Sequence, residues 1–127
     1  MEIKTIVLGQ LPRKSNGRRK TRWGGLIKSQ DALDYEVSFI FQIPNELRLH
    51  LTDKISLTAK IYYRSNRSDL SDELLCDCIE KAGIIKNDRQ IKEKHLYCRV
   101  DKENPRVEFE LKIIGDEDFN STDHKGS

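Results

Sequence analysis

A strict alternation of apolar and polar side chains between Ile55 and Tyr63 constrains the fold of this chain more than any other feature. Every second residue is apolar, namely Ile55, Leu57, Ala59, Ile61 and Tyr63. A period of two places these side chains on one face of a β-strand. The segment therefore predicts a half-buried strand, in a sheet that another layer covers on one side.

Two helical patterns can supply that layer. Ser29 is a suitable N-cap for a helix that runs to about Gln42, because Pro44 pushes the residue before it out of helical geometry. The spacing of its apolar residues predicts a buried face formed by Leu33, Val37, Ile40 and Phe41, with Ala32 and Tyr35 beside it.

A second helix is predicted over residues 71–82, and Gly83 is a natural residue to end it. Its predicted buried stripe consists of Leu74, Leu75, Cys78, Ile79 and Ala82. The opposite side carries Glu73, Cys76 and Glu80.

Three further strands, at residues 3–8, 90–100 and 106–114, complete the predicted domain. We expect the last two to form an antiparallel hairpin, because they follow each other closely along the chain. The element order is then β-α-β-α-β-β, which predicts a single α+β domain with two helices packed on a mixed sheet. This domain covers residues 1–114, and residues 115–127 are predicted to be a disordered polar tail.

Composition predicts the cellular environment of the protein. The 127 residues contain no run of about 18 apolar residues, so we expect no transmembrane helix and no membrane partner. The N-terminus lacks the features of a signal peptide. Three cysteines, an odd number, predict a reducing, cytoplasmic environment.

Positive charge is concentrated near the N-terminus. Residues 1–30 include eight basic residues and one acidic residue, although the net charge of the chain is only +2. Residues 11–25 are too polar and too rich in Gly and Asn for regular structure. The basic residues of this loop are Arg13, Lys14, Arg18, Arg19, Lys20 and Arg22. Such loops neutralise phosphates, so we expect a polyanionic partner, with a solvated basic loop as the alternative.

Carboxylates gather around the second helix. Four of them lie within nine residues, at Asp69, Asp72, Glu73 and Asp77. One or two acids at a helix start are explained by capping and the helix dipole. Asp88, which follows Gly83, is not explained in this way. Mg²⁺ binds few protein carboxylates together with waters and a phosphate, so one carboxylate from the helix start together with Asp88 could hold this ion.

These features together resemble the RusA family of Holliday junction resolvases. In that family a first strand precedes a basic loop, here residues 11–19, and a G-x-x-x-[ST] stretch, here residues 25–29. The family signature is D-L-D-N, a helix ending in A-G, and [DN]-D-x-Q-[VI]. Its counterparts here are DLSD at residues 69–72, AG at residues 82–83 and NDRQI at residues 87–91. The similarity extends over most of the chain.

The resemblance implies an endodeoxyribonuclease that depends on Mg²⁺, or on Mn²⁺ in its place. Such an enzyme resolves four-way DNA junctions in recombination and repair as a homodimer and has no small-molecule substrate. The residues that would bind the metal and carry catalysis are Asp69, Asp72 and Asp88. The six basic loop residues, together with Lys86 and Arg89, would contact the branched DNA.

Departures from the signature leave alternatives open. Ser71 stands where the second acid is expected, and we take Asp72 as the substitute ligand. An alignment counted backward from Gly83 instead places Asp69 on the second acid and Arg67 on the first. One alternative function is a relative that binds branched DNA without cutting it. Another is an α+β interaction domain in which the acids only cap a helix.

Overall fold

The computed structural model describes residues 2–12, 18–20, 26–66 and 72–115. The strands in these ranges are β1 (Glu2–Leu8), β2 (Arg18–Lys20), β3 (Leu26–Lys28), β4 (Ile55–Tyr63), β5 (Ile91–Val100) and β6 (Arg106–Ile113). The helices are α1 (Gln30–Gln42) and α2 (Asp72–Lys81), and short 3₁₀ turns lie at Asn45–Leu47 and Asp88–Gln90.

Four strands form one mixed sheet in the order β1-β6-β4-β5. β6 pairs antiparallel with both β1 and β4, whereas β4 pairs parallel with β5 across the connection that contains α2. The two helices pack on one face of this sheet. The predicted α+β fold, with the order β-α-β-α-β-β around a mixed sheet, is confirmed.

The predicted hairpin between the last two strands is wrong, because β4 lies between them. The link from β5 to β6 passes the end of β4, where the Asp101 N–H donates to the Tyr63 carbonyl at 2.8 Å. The burial pattern explains this arrangement. β6 alternates buried and partly exposed residues, as an interior strand does, whereas β5 is mostly exposed and suits an edge.

The basic segment also departs from its prediction. Residues 11–25 are predicted to lack regular structure, but Arg18–Lys20 pairs antiparallel with Leu26–Lys28 in a separate two-stranded ribbon. A ribbon can form in so polar a sequence because its ladder is made by backbone groups, which every residue here supplies.

The core lies between the helices and the sheet. All five alternating apolar residues of β4 are buried, which confirms the half-buried strand. Phe39 of α1 stacks on Phe109 of β6, with ring centroids 5.7 Å apart. Aromatic stacking of this kind adds to the free energy of burying both rings and holds α1 on the sheet.

The face that α1 buries differs from the predicted one. The buried residues are Ala32, Tyr35 and Phe39, and Leu33, Val37 and Phe41 are 41%, 68% and 86% exposed. Both sides of this helix carry apolar residues at helical spacing, so periodicity alone does not choose between them. The ring of Phe109 on the sheet selects the side that carries Phe39.

One side chain binds main-chain carbonyls at the C-terminal ends of both helices. The guanidinium of Arg48 donates to three main-chain carbonyls at 2.7–3.0 Å, those of Ile40, Ile43 and Ala82. Carbonyls at the ends of helices lack partners within the helix. Arg48 therefore satisfies the ends of α1 and α2 together.

Gly83 ends α2, as predicted. Its φ of +84° lies in the left-handed region, and a Cβ at this position would meet the His50 ring at 3.0 Å. Only glycine adopts this conformation at little cost beside so close a neighbour. The chain can thus turn from α2 directly toward the Asp88–Gln90 turn.

Within the described ranges, no helix has the length and apolar composition needed to cross a membrane. The predicted polar tail lies outside those ranges from residue 116 onward.

Candidate functional site

The structure describes two of the three predicted metal ligands. Asp72 is the first residue of α2, and Asp88 is the first residue of the second 3₁₀ turn. The predicted site residues outside the described ranges are Asp69, Arg13, Lys14 and Arg22. β2 is formed by Arg18, Arg19 and Lys20, whose side chains also lie outside the described part of the chain.

Asp72 faces a lysine on the neighbouring edge strand. Lys94 Nζ lies 3.4 Å from Asp72 Oδ2, and the two side chains are 38% and 32% exposed. Lys94 is in register with Leu57 of β4, so its side chain leaves β5 on the face that the helices cover. Because α2 begins above this face, the acid of the helix and the amine of the strand meet.

Asp88 begins a turn that is fixed on both sides. The Asn87 side chain accepts from the Arg89 N–H at 2.8 Å, and the Gln90 side chain accepts from the Asn87 N–H at 2.7 Å. This reciprocal capping box is joined by a 2.7 Å hydrogen bond from the Gln90 amide to the Leu51 carbonyl. Asn87 therefore caps the turn, so capping does not explain the carboxylate of Asp88.

One ridge of α2 connects the two acids. Asp72, Cys76 and Glu80 are four residues apart, and such residues share a helix face. At one end Asp72 pairs with Lys94, and at the other Glu80 Oε1 accepts from the Asp88 N–H at 2.8 Å. Cys76, which was predicted to lie opposite the buried stripe, is itself buried, with 3% of its surface exposed.

Lys94 interacts electrostatically with both acids. Partial burial by itself lowers the pKa of the Lys94 ammonium, but Cys76, Asp72 and Asp88 raise it, and the net shift is upward. At neutral pH the Cys76 thiol is uncharged, so the two carboxylates are the groups that favour the charged amine. The direct contact is between Asp72 and Lys94, and Asp88 acts on Lys94 only through electrostatics beyond ion-pair distance. We call these three residues the acidic site.

Cys76 lies beneath the acidic site as a protonated thiol. Burial raises the pKa of Cys76 from 9.0 to about 11; Lys94 opposes the shift, and Asp72, Asp88 and Asp77 add to it. Nucleophilic attack and metal ligation by cysteine both require the thiolate. The burial and the raised pKa of Cys76 therefore fit the predicted structural role for this thiol.

The acidic site supplies hard oxygen donors. Among the residues that the structure describes, no three His, Cys, Asp or Glu side chains gather closely enough to hold a metal. Two carboxylates, Asp72 and Asp88, share the cluster, and Asp69 lies outside the described ranges. Mg²⁺ is commonly held by one or two carboxylates, with waters and substrate phosphates as the other ligands. Carboxylate oxygens are suitable donors for Mg²⁺ or Mn²⁺, and a metal at these acids stays a prediction.

The neighbouring acids have different surroundings. Asp77 Oδ2 lies 3.6 Å from Lys81 Nζ, and the same ammonium lies 3.1 Å from Glu36 of α1. Lys81 thus joins α2 to α1 through Glu36, and Asp77 pairs with the same ammonium within α2. Glu73 is exposed on α2.

Two of the predicted DNA-binding residues flank the acidic site. Lys86 and Arg89 are both exposed, one on each side of Asp88 along the chain. Their backbone is fixed, since the Lys86 N–H donates to the Leu51 carbonyl at 2.9 Å and the Arg89 N–H to Asn87. Contact of these side chains with DNA stays a prediction.

Sequence reasoning missed Lys94 and gave Glu80 no role. The four-residue spacing from Asp72 through Cys76 to Glu80 was a usable signal for a shared helix face. No comparable signal indicated Lys94, because its approach to α2 depends on the parallel pairing of β4 and β5.

In comparisons with protein-family models and with curated proteins, nothing matches the chain. A function for this protein therefore rests on its own residues, their geometry and the resemblance of its motifs.

Proposed function

We propose that this protein is a Mg²⁺-dependent endonuclease, similar to the RusA family, that cuts four-way DNA junctions in the cytoplasm during recombination and repair. The observation that carries this proposal is that one ridge of α2 contacts both motifs: Asp72 pairs with Lys94 at its start, and Glu80 accepts from the Asp88 N–H at its other end. The two acids belong to motifs that are separated along the chain by a helix. Capping alone does not explain these acids, because Asn87 and not Asp88 caps the turn, and Asp72 pairs with a residue of a strand.

In the proposed enzyme, Asp72 and Asp88 bind Mg²⁺ or Mn²⁺, with Asp69 as the third ligand. The bound metal supplies Lewis-acid stabilisation of charge on the phosphate and lowers the pKa of a water. Asp72 stands on α2 and Asp88 on a capped turn, so both carboxylates project from well-supported backbone. Glu80 supports this arrangement by accepting from the Asp88 N–H.

Basic residues hold the branched DNA in this proposal. Lys86 and Arg89 contact phosphates next to the cut, because they flank Asp88 and are exposed. The loop residues that grip the backbone further away are Arg13, Lys14, Arg18, Arg19, Lys20 and Arg22. Phosphate contacts of this kind make affinity fall steeply with salt. A homodimer would present two such sites to the two symmetric strands of a junction.

Cleavage of a labelled synthetic four-way junction tests the proposal. We expect the wild type to cut in the presence of Mg²⁺ or Mn²⁺. Asp88→Asn should lower the single-turnover rate at least about 100-fold, which corresponds to about 2.7 kcal/mol in the barrier. Its affinity for the junction in Ca²⁺, measured by gel shift, should match that of the wild type, because the amide keeps the shape of the side chain.

Asp53→Asn is the matched control. Asp53 is exposed, and its carbonyl accepts from the Gln90 amide at 2.9 Å, so it lies close to the Asp88 turn without belonging to the acidic site. This variant should cut at the wild-type rate. Equal losses in both variants would show that the turn is sensitive to any change of charge and would contradict the role of Asp88.

The second candidate function is that of a relative that binds branched DNA without cutting it. Ser71 favours this alternative, because it stands where the family signature carries an acid. Tight, salt-sensitive junction binding without cleavage in any divalent metal would support it. If DNA binding shows no salt dependence at all, both nucleic-acid functions are wrong and the interaction domain becomes the better description.

A further inference from the structure

We propose that a second copy of this chain pairs with the outer edge of β5, so that two four-stranded sheets join into one sheet of eight strands. The two β5 strands run antiparallel, and the two-fold axis passes beside Leu96, which faces the partner's Leu96. The resemblance of the motifs implies a homodimer but indicates no surface for it. The pairing goes beyond the proposed nuclease function, and it can be measured without DNA or metal.

The outer edge of β5 is long and regular. In the described ranges β5 ends the strand order of the sheet, and it has ten residues, whereas a typical strand has about five or six. Proline, bulges, shortness and inward charges are the usual features that keep strand edges from pairing with other chains. Ile91–Val100 contains no proline, and its register with β4 shifts only at its start. The edge is therefore suited to pairing.

The main chain of β5 presents alternate residues to this edge. The Asp101 N–H donates to the Tyr63 carbonyl at 2.8 Å, so the odd-numbered residues direct their main-chain groups toward β4. Successive residues of a strand direct these groups to opposite sides. The even-numbered residues of 94–100 therefore face outward. The Cys98 carbonyl accepts from the exposed Arg99 guanidinium at 3.0 Å, and its second lone pair can accept from a partner strand.

The charges of β5 are complementary to those of a second β5. With the axis at Leu96, Glu93 lies opposite the partner's Arg99, and Arg99 lies opposite the partner's Glu93. His95 lies opposite the partner's Tyr97 on the same face. All four side chains stand on the sheet face that the helices leave open, where cross-strand pairs of opposite charge stabilise antiparallel strands. The strand thus carries a self-complementary pattern.

Other positions of the axis lose this complementarity. An axis at Lys94 would place that lysine opposite the partner's Lys94. An axis at Tyr97 would place Glu93 opposite the partner's Asp101. An axis at His95 would bring no opposite charges together. Like charges placed directly opposite each other destabilise a strand pair. The charges therefore favour the register centred on Leu96.

Lys94 is compatible with the joined sheet. It points toward the helices, and an inward charge on an edge strand ordinarily hinders pairing. Here the Asp72 carboxylate lies 3.4 Å from its ammonium, so the lysine enters the interface with its charge already paired. The next inward residue, Leu96, is partly buried against the core and would meet the partner's Leu96 at the axis. An apolar contact thus lies at the centre of the pairing.

Sedimentation equilibrium of the full chain at low salt tests the pairing. We expect the wild type to form dimers with a Kd on the order of 10 µM, as for a small interface. Glu93→Arg should raise this Kd about 30-fold, because two attractive pairs become two repulsive pairs. Arg99→Glu should have the same effect, and the double variant that carries both changes should recover the wild-type value.

Glu2→Arg is the matched control for these charge reversals. Glu2 is an exposed residue of β1, at the opposite edge of the same open face. This variant should dimerise as the wild type does. Circular dichroism of each variant establishes that it is folded, so a loss of dimer reports on the interface.

A cross-link tests the register. Residues that form a hydrogen-bonded antiparallel pair have Cα atoms about 5.5 Å apart, which is within the range of a disulfide. Leu96→Cys should therefore give a covalent dimer under mild oxidation. In the wild type, Cys98 lies opposite the partner's Lys94, about 13 Å along the strand from the partner's Cys98. The wild type should not cross-link, and a disulfide between its two Cys98 residues would contradict the axis at Leu96.

Two further outcomes would overturn the pairing. One is a wild type that remains monomeric at about 100 µM, ten times the expected Kd. The other is a dimer that neither charge reversal weakens, which would use another surface, such as the exposed apolar side of α1 formed by Leu33, Val37 and Phe41. Junction cleavage is measured separately, so failure of the pairing and failure of the proposed nuclease function are distinguishable.

Discussion

The two helices of this protein begin with similar residues that serve different purposes. α1 follows Ser29, whose hydroxyl accepts from the Ala32 N–H at 3.2 Å, and its first-turn acid Asp31 is exposed. α2 begins with Asp72, whose carboxylate pairs with Lys94 on a strand. An acid in a first turn favours any helix. The comparison teaches that a partner on another element, and not the acid itself, distinguishes a candidate site from a stabilising charge.

The contrast extends one turn further into each helix. Tyr35 lies four residues after Asp31, and Cys76 lies four residues after Asp72; both are buried, and burial raises the pKa of each. For Tyr35 the remaining contributions come from side chains of the core. For Cys76 they come from Lys94 and the surrounding carboxylates. The start of α1 thus lies on neutral core, and the start of α2 lies on a charged cluster.

Exchanging a carboxylate for an amide at each helix start should give the largest difference. Asp72→Asn removes a proposed metal ligand, so we expect junction cleavage to slow at least about 100-fold, or about 2.7 kcal/mol in the barrier. Asp31→Asn should leave the rate unchanged. Single-turnover assays of labelled strands measure both rates.

The same pair of variants provides its own stability control. Each loses one negative charge from a first helical turn, which should lower the free energy of unfolding by about 0.5 kcal/mol. Asp72→Asn also loses the ion pair with Lys94, which adds at most about 1 kcal/mol at this partly exposed position. Equal effects of the two variants on cleavage would contradict the distinction between the helix starts.

Alkaline pH tests the charged cluster beneath α2. The pKa of Cys76 is about 11 in the folded protein and 9.0 ordinarily, so stabilisation by the neutral thiol is complete below pH 9 and is lost as the pH rises toward 11. Between pH 8 and pH 10 the free energy of unfolding should therefore fall by about 1 kcal/mol more in the wild type than in Cys76→Ala. Urea titrations under reducing conditions measure this difference.

Cys98→Ala is the control for that experiment, because Cys98 lies on β5 outside the acidic site. It should keep the pH dependence of the wild type. If Cys76→Ala keeps it as well, the thiol beneath the acids does not titrate in this way.

The smallest effect is expected at the cap of α1. Ser29→Ala removes the acceptor for the Ala32 N–H and should lower the free energy of unfolding by about 0.5–1 kcal/mol. Cleavage should not change, since this helix start has only a structural role. Thermal unfolding measures the loss, and Ser29→Asp, which restores an acceptor, should recover it. Slower cutting by Ser29→Ala would argue against a purely structural start of α1.

Local patterns in the sequence predict the elements well. The alternation over Ile55–Tyr63 matches β4, and the cap at Ser29 matches the start of α1. Errors arise where one pattern has two solutions. α1 carries apolar residues on both sides, and the last two strands could pair with each other or with opposite edges of β4. Total burial across the domain decides such cases, and no local window contains that information.

The acidic site, like the fold, is predictable from the sequence in some respects and not in others. The sequence by itself determined the helix that separates Asp72 from Asp88, because helix length and termination depend on residues close together in the chain. The sequence likewise determined the two polar residues that frame Asp88, which are Asn87 and Gln90. Only the tertiary structure decided that Asp72 meets Lys94, because that contact requires the parallel register of β4 with β5 and the position of α2 above it. Contacts between elements distant in sequence depend on how the whole sheet is paired.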